Sequence, residues 1–383
     1  MQFTIFCTVV DNFGDIGICW RLARQLNHEL QHDVVLYVDD LASFQRICPE
    51  VNPSLNTQQI QGVQVACWHQ EFALLPSDRP DVVIEAFACQ IPPSYLAACE
   101  QQVTPPLWIN LEYLTAEGWA ADCHGLASPQ PGSKLKKYFY FPGFTERYGG
   151  LLREATIVST AGAVRQSLAL QLDVWQQLGL YDAMAFSRKI SLFGYSQTGI
   201  ASWLRQLASS QLTTLVLIPQ GALANQLIAM YPDLANGRVT DGALALQVLP
   251  FVAQPLYDLL LAVCDFNFVR GEDSIIRAHW AGRPFIWQIY RQEQQAHLDK
   301  LHAFLDLMLA DATPELASLV RAMHGAWEQE LDFASVWPLL EQNWSQYADY
   351  VLQWQRKLTA HEDLASNLVR FAKNKHIIPR TFS

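Results

Sequence analysis

Basic residues are scarce in this chain: 26 Lys and Arg stand against 37 Asp and Glu, for a formal net charge of −11 over 383 residues. A general nucleic-acid binder needs a basic surface to displace counterions, so that class is excluded, whereas a basic protein partner is not. No apolar run is long enough to span a bilayer, and no strong basic or amphipathic patch points to a membrane surface. The opening Met1-Gln2-Phe3-Thr4-Ile5-Phe6-Cys7 has no Lys or Arg before its apolar segment and no small-residue cleavage pattern. It reads as a first core strand rather than a signal peptide, and a cytoplasmic protein is expected. The eight cysteines include no C-x-x-C pair, and most lie in apolar segments, which favours structural thiols over metal or redox chemistry. Asp39-Asp40 lacks a clustered His or third carboxylate and reads as a strand-end turn rather than a metal site. His69, His124, His279 and His297 are scattered, and none reads as a catalytic centre. There is no low-complexity tract or short repeat.

What is present is a long alternation. Half of the residues are hydrophobic, enough for two domains of ordinary size. Short β-rich runs at 3–10, 34–38, 82–85 and 107–110 alternate with longer amphipathic stretches, the signature of a parallel sheet with crossover helices. A second series follows at 189–195, 213–218, 244–250, 266–269 and 285–289. The expected fold class is α/β, with two Rossmann-like domains facing across a cleft in the GT-B arrangement and a ligand at the carboxyl ends of the strands. The expected divisions are an N-terminal domain at 1–158, a polar-faced helical connection at 159–182 and a C-terminal nucleotide-sugar domain at 183–355. A helical segment at 356–383 is expected to return to the first domain, with Leu364, Leu368 and Phe371 on one face.

The run Asp11-Asn12-Phe13-Gly14-Asp15-Ile16-Gly17 follows the first strand and precedes a helix. A nucleotide-binding protein places a glycine-rich phosphate loop there, but two carboxylates would repel a phosphate. The loop suits a cation, or a proton that must be removed. The plainer reading keeps Asp15 as a helix cap, Asp11 as a solvated turn residue and the glycines as backbone geometry.

In the second half, Leu249-Pro250-Phe251-Val252-Ala253-Gln254-Pro255 closes a strand, 256–263 reads as a short helix and 265–269 as the next strand. Arg270-Gly271-Glu272-Asp273-Ser274 comes next, then a helix over 275–281 stopped by Gly282-Arg283-Pro284. This order resembles the donor-binding half of GT-B glycosyltransferases. Free N–H groups near Ser274, the Ser274 hydroxyl and the Arg270 guanidinium would hold a diphosphate without a metal ion. Glu272 and Asp273 can accept hydrogen bonds from sugar hydroxyls, and Phe193, Tyr195 and Phe251 could flank a base. Against this, Asp273 or Ser274 also reads as an ordinary N-cap, and the aromatics as core.

With both loops in place, the chain resembles the bacterial protein-arginine rhamnosyltransferases that modify translation elongation factor P. The likeness extends to Phe6-Cys7 and Val10, Trp20-Arg21-Leu22-Ala23-Arg24, Val38-Asp39-Asp40-Leu41 and His297-Leu298-Asp299-Lys300-Leu301-His302. It implies dTDP-β-L-rhamnose as donor substrate with no cofactor and no metal, one arginine of elongation factor P as acceptor, and inversion at the anomeric carbon. By that likeness Asp15 is the general base, Asp11 supports the acceptor loop and Glu272 is a further essential carboxylate. Asn12, Phe13, Gly14 and Asp15 would touch the donor from one domain. Phe193, Tyr195, Phe251, Gln254, Arg270, Gly271, Glu272, Asp273 and Ser274 would do so from the other. The competing readings are a glycosyltransferase with a different acceptor and a catalytically silent module that binds a translation factor. Carboxylates at 11, 15 and 272 weigh against the second.

Overall fold

The computed structural model describes residues 1–10, 13–69, 75, 77–290 and 296–375, so Asp11 and Asn12 lie outside the described residues. The chain divides into two units, Met1–Ala155 with Leu358–Ser383, and Thr156–Lys357.

The first unit is built on β1 (Gln2–Cys7), β2 (Asp33–Val38), β3 (Thr57–Ile60), β4 (Val63–Cys67), β5 (Val82–Ala86), β6 (Leu107–Leu111), β7 (Ala127–Ser128) and β8 (Lys137–Tyr140). They form one sheet in the order β3-β4-β2-β1-β5-β6-β8-β7. Only the edge strands β3 and β7 run antiparallel to their neighbours. β1, β2, β5 and β6 are the expected strands, and each is fully buried apart from its first residue or two, as a parallel sheet covered on both faces requires. In register, Phe6 lies opposite both Tyr37 of β2 and Glu85 of β5. The chain leaves β1 towards β2 and later returns on its other side as β5, so a topological switch point lies at the carboxyl end of β1.

The last helix, Leu364–Lys375, packs in this unit. Its Leu364, Leu368 and Val369 share a core with Ile16, Trp20 and Leu22 of the helix Gly14–Arg24. Burial of each such side chain stabilises by roughly 1.5–3 kcal/mol. Gly150 is required where this segment crosses, because its φ is +84° and a Cβ there would lie 2.6 Å from the Glu362 carbonyl oxygen.

The second unit carries β9 (Arg188–Leu192), β10 (Thr214–Pro219), β11 (Arg238–Asp241), β12 (Leu244–Leu249), β13 (Phe266–Arg270) and β14 (Phe285–Gln288). The order is β11-β12-β10-β9-β13-β14, parallel except for the edge strand β11. The reversal here falls between β9 and β13, which puts this unit's switch point at the carboxyl ends of those two strands. Below the sheet, Trp203 meets Phe268, Trp327, Phe333 and Trp337 with ring centroids 5.2 to 6.2 Å apart.

The expected connection at 159–182 is corrected by this arrangement. Its helices, Ile157–Gln166 and Leu168–Gln177, bury Ala161, Val164, Val174 and Trp175 against Leu260, Ala262 and Val263, within the second unit. Arg165 also donates to the Ala281 carbonyl beside Gly282, where a Cβ would come 2.7 Å from its Nη1. No helix among the described residues is long and apolar enough to cross a membrane.

Candidate functional site

At the first switch point, β1 ends at Cys7 and the next helix starts at Gly14. Asp15 sits in its first turn, a favourable position for negative charge, and is 3 % exposed. Its Oδ2 accepts a hydrogen bond from Val10 N at 2.9 Å. The neighbouring Val9 N donates to Asp39 Oδ1, also at 2.9 Å. Two carboxylates from different elements therefore pin successive N–H groups where β1 ends, and this sets the direction of the Asp15 carboxylate. The N-cap is Phe13, with no side-chain cap bond, so the plain reading of Asp15 as a cap does not hold. Phe13 and Gly14 are half-buried, with Phe13 packed against the first core and the Arg46 guanidinium 6.0 Å from its ring.

Behind the loop, Cys7 and Cys19 are buried, and Cys7 Sγ donates to Thr8 O at 3.8 Å. The Cys19 thiol first, and burial second, push the Cys7 thiol well above the ordinary thiol range; burial raises Cys19. All eight cysteines are free thiols and six are buried. Asp40 caps the helix Leu41–Ile47, accepting from Ala42 N and Ser43 N at 3.0 Å each, and the bonds from Ser43 hold its carboxyl below the usual range. The strand-end reading of Asp39-Asp40 is the observed one. Among the described residues no group of three or more His, Cys, Asp and Glu could hold a metal ion.

At the second switch point, the helix begins at Gly271 rather than near Ser274. The chain enters it directly from β13 because Gly271 takes φ +65°, a region that favours glycine. The N–H groups of its first turn therefore belong to Gly271, Glu272 and Asp273. Ser274 is 5 % exposed, and its hydroxyl donates to Arg270 O while accepting from Arg270 N at 3.0 Å. The Ser274 oxygen thus clamps the strand–helix junction, as the indole of Trp287 does by donating to Gly271 O at 2.8 Å.

Arg270 is brought together with two of the expected aromatics. Its guanidinium lies 4.5 Å from the Phe193 ring centroid and 4.7 Å from that of Tyr195, with Nη1 3.4 Å from Gly194 O. These two rings thus flank the arginine. Tyr195 N is in turn fixed by the buried Gln288 Oε1 at 2.8 Å. Phe251, past the end of β12, is 41 % exposed, and Gln254 is buried at the start of the helix Gln254–Val263. That helix is locked to the Gly271–Ala281 helix by a bidentate pair, Arg277 to Asp258, with both bonds 2.9 Å. Glu272 is joined to Lys300 at 2.7 Å.

Sequence reasoning did not single out Gln288, Asp258 with Arg277, or the role of Lys300. It also passed over the turn after β5, where Phe87 and Ala88 both take positive φ, 56° and 54°, and Phe87 stacks on Tyr113 with centroids 4.6 Å apart. Two successive non-glycine residues in that region carry strain, and here they lie at the carboxyl end of a strand next to β1.

A model of the family described as Elongation-Factor P (EF-P) rhamnosyltransferase EarP matches residues 3–373. A protein-arginine rhamnosyltransferase of Pseudomonas putida is 43% identical over 373 residues, covering 97% of this chain and 98% of its own. A solved structure described as the structural basis for EarP-mediated arginine glycosylation of translation elongation factor EF-P matches with a TM-score of 0.69 at 30% identity, over 97% of this chain and 99% of that one. MurG of Acinetobacter baumannii matches at 11% identity with a TM-score of 0.50, over 97% of this chain and 99% of that one, a likeness of fold alone. The fold is GT-B, with two Rossmann-like domains.

Proposed function

The chain belongs to the elongation factor P rhamnosyltransferase family, and on that premise we propose that it transfers L-rhamnose from dTDP-β-L-rhamnose to an arginine side chain of elongation factor P, with inversion and without a metal ion. The observations that carry this reading are a buried, oriented Asp15 at one switch point and, at the other, Arg270 beside the start of a helix. In the reaction a guanidinium nitrogen attacks the anomeric carbon, the bond from that carbon to the diphosphate oxygen breaks, and one proton leaves the nitrogen.

A guanidinium with a pKa above about 12 does not give its proton to a carboxylate before reaction. Asp15 first orients it by a charge-assisted hydrogen bond and takes the proton late, once the new N–C bond has made that nitrogen acidic. Asp11, outside the described residues, is assigned to localising the cation. At the donor, Arg270 and the N–H groups of Gly271, Glu272 and Asp273 neutralise the departing diphosphate, and Glu272 holds sugar hydroxyls or stabilises the oxocarbenium-like sugar. Asn12, which also lies outside the described residues, joins Phe13, Gly14, Tyr195, Phe251 and Gln254 in the proposed donor contacts. Intact-mass analysis of elongation factor P after incubation with this protein and candidate sugar nucleotides tests the reading. A single deoxyhexose increment from dTDP-rhamnose is expected, and an unchanged mass with every donor overturns it.

A further inference from the structure

We propose that Lys300 is a positioning residue for the transfer, acting through Glu272 to balance the charge of the donor loop so that a nucleoside diphosphate can enter; this rests on the donor reading above. Lys300 stands on the helix Ala296–Met308, and Glu272 in the first turn of the helix Gly271–Ala281. Its Nζ lies 2.7 Å from Glu272 Oε1, and the two side chains are only 12% and 14% exposed. A pair so withdrawn from solvent is screened little and interacts more strongly than an exposed one.

Among the described residues, the segment 270–274 with its partner Lys300 carries two positive side chains, Arg270 and Lys300, and two negative ones, Glu272 and Asp273. They cancel. Without Lys300 the loop would carry a net negative charge where a diphosphate must bind. The helix start offers only about half a positive charge, which does not replace a lost ammonium. Arg270, held beside Phe193 and Tyr195, is already assigned to the diphosphate and does not also replace Lys300 at Glu272. Lys300 has three N–H donors, so it can keep Glu272 oriented by one of them while its charge offsets that of the ligand.

The test is calorimetry with dTDP on the full chain, with transfer kinetics on elongation factor P and thermal unfolding as a check on folding. Lys300→Met is expected to weaken dTDP binding on the order of thirtyfold or more. Lys300→Arg should retain most of the affinity. The double variant Lys300→Met with Glu272→Gln restores charge balance, and should recover most of the dTDP affinity while transfer stays low. A pair that only supports the fold would not produce that recovery. Unaltered dTDP binding by Lys300→Met overturns the inference alone, as does a double variant that binds no better than the single one. Lys300→Gln takes its place in the same comparison if the Met variant does not fold. Failure of the unsubstituted chain to bind dTDP would overturn the donor reading, and this inference with it.

Discussion

Replacing Asp15 by Asn removes one negative charge and almost no volume, and so separates charge from shape at the acidic loop. The carboxylate is buried and its Oδ2 accepts the Val10 N–H bond. An amide oxygen can accept the same bond, so the end of β1 keeps its form and stability changes by about 1 kcal/mol or less. The loss falls on the reaction. A carboxylate and a guanidinium about 4 Å apart, at the effective dielectric of about 20 that suits protein sites, attract by about 4 kcal/mol, roughly three orders of magnitude that fall on acceptor binding and so on KM. General-base catalysis is worth ~10²–10⁴-fold by separate reckoning. That second effect falls on turnover, and the expected fall in kcat for transfer is ~10²–10⁴-fold. Donor affinity should change far less, because no phosphate contact is removed. The assay is steady-state transfer to folded elongation factor P, followed by intact mass, beside calorimetry with the sugar nucleotide. Near-normal transfer by a variant whose circular dichroism matches the unsubstituted protein would remove Asp15 from the base role.

Four further outcomes follow from the same geometry. Asp258→Ala strands the buried Arg277 guanidinium and should cost about 3–5 kcal/mol in urea unfolding, whereas Asp258→Leu with Arg277→Met should recover much of it; equal losses would show that the pair contributes by packing alone. Burial lowers His124 and His324 to about 4 and His279 to about 3, so these rings stay neutral in the fold while the unfolded chain takes up protons below about pH 6.5. Their contribution is complete above pH 6.5 and is lost as pH falls towards 4, about 2 kcal/mol per ring by pH 5, and an unfolding free energy level from pH 7 to 5 would contradict it. Ala88→Gly should stabilise by about 0.5–1 kcal/mol by relieving the positive φ of 54°, and a lower melting temperature would show that the strain is offset elsewhere. Transfer should survive a chelator, since Arg270 and the helix start supply the positive charge; activity lost on chelation and restored by magnesium or manganese would count against the metal-free account.

The strands beside both switch points were legible because each is a short run with β-branched or aromatic residues, largely buried on two faces. The hairpin of β3 and β4 was not, since Gln58, Gln59 and Gln64 dilute its pattern, and its turn uses Gln61-Gly62, both at positive φ, in place of the usual Asn-Gly. The helices around Val164 and Trp175 passed for a connection because Leu168, Leu170 and Leu172 spread their apolar residues off one face, and the surface they cover comes from residues near 260. Both segments follow a strand, with Asp11 and Asn12 outside the described residues and Arg270–Ser274 a direct strand-to-helix junction. Their internal contacts were not legible. The bond between Ser274 and Arg270 depends on how a left-handed glycine starts the helix. The stacking of Arg270 on Phe193 and Tyr195 depends on β9 and β13 being neighbours in the sheet. Such contacts follow from topology, which residue spacing does not encode.

The charge sign at each switch point follows from the two reactants of the proposed transfer. The nucleophile is a cation at any pH the protein meets, whereas the leaving group is an anion throughout. A histidine would serve poorly as base at the acidic loop, because an imidazole that gained a proton there would repel the guanidinium it has to orient. A carboxylate attracts the cation before reaction and accepts its proton afterwards, at which point the attraction ends and the glycosylated arginine is easier to release. The donor loop faces the opposite demand, since its attraction should grow as charge develops on the departing diphosphate. A loop of balanced charge meets that demand with Arg270 and with backbone N–H groups fixed by the fold, which hold their orientation whether or not a ligand is bound. On the proposed reading, the carboxylates at 272 and 273 keep the resting loop from binding anions indiscriminately, and so leave selection to the sugar whose hydroxyls donate hydrogen bonds to them.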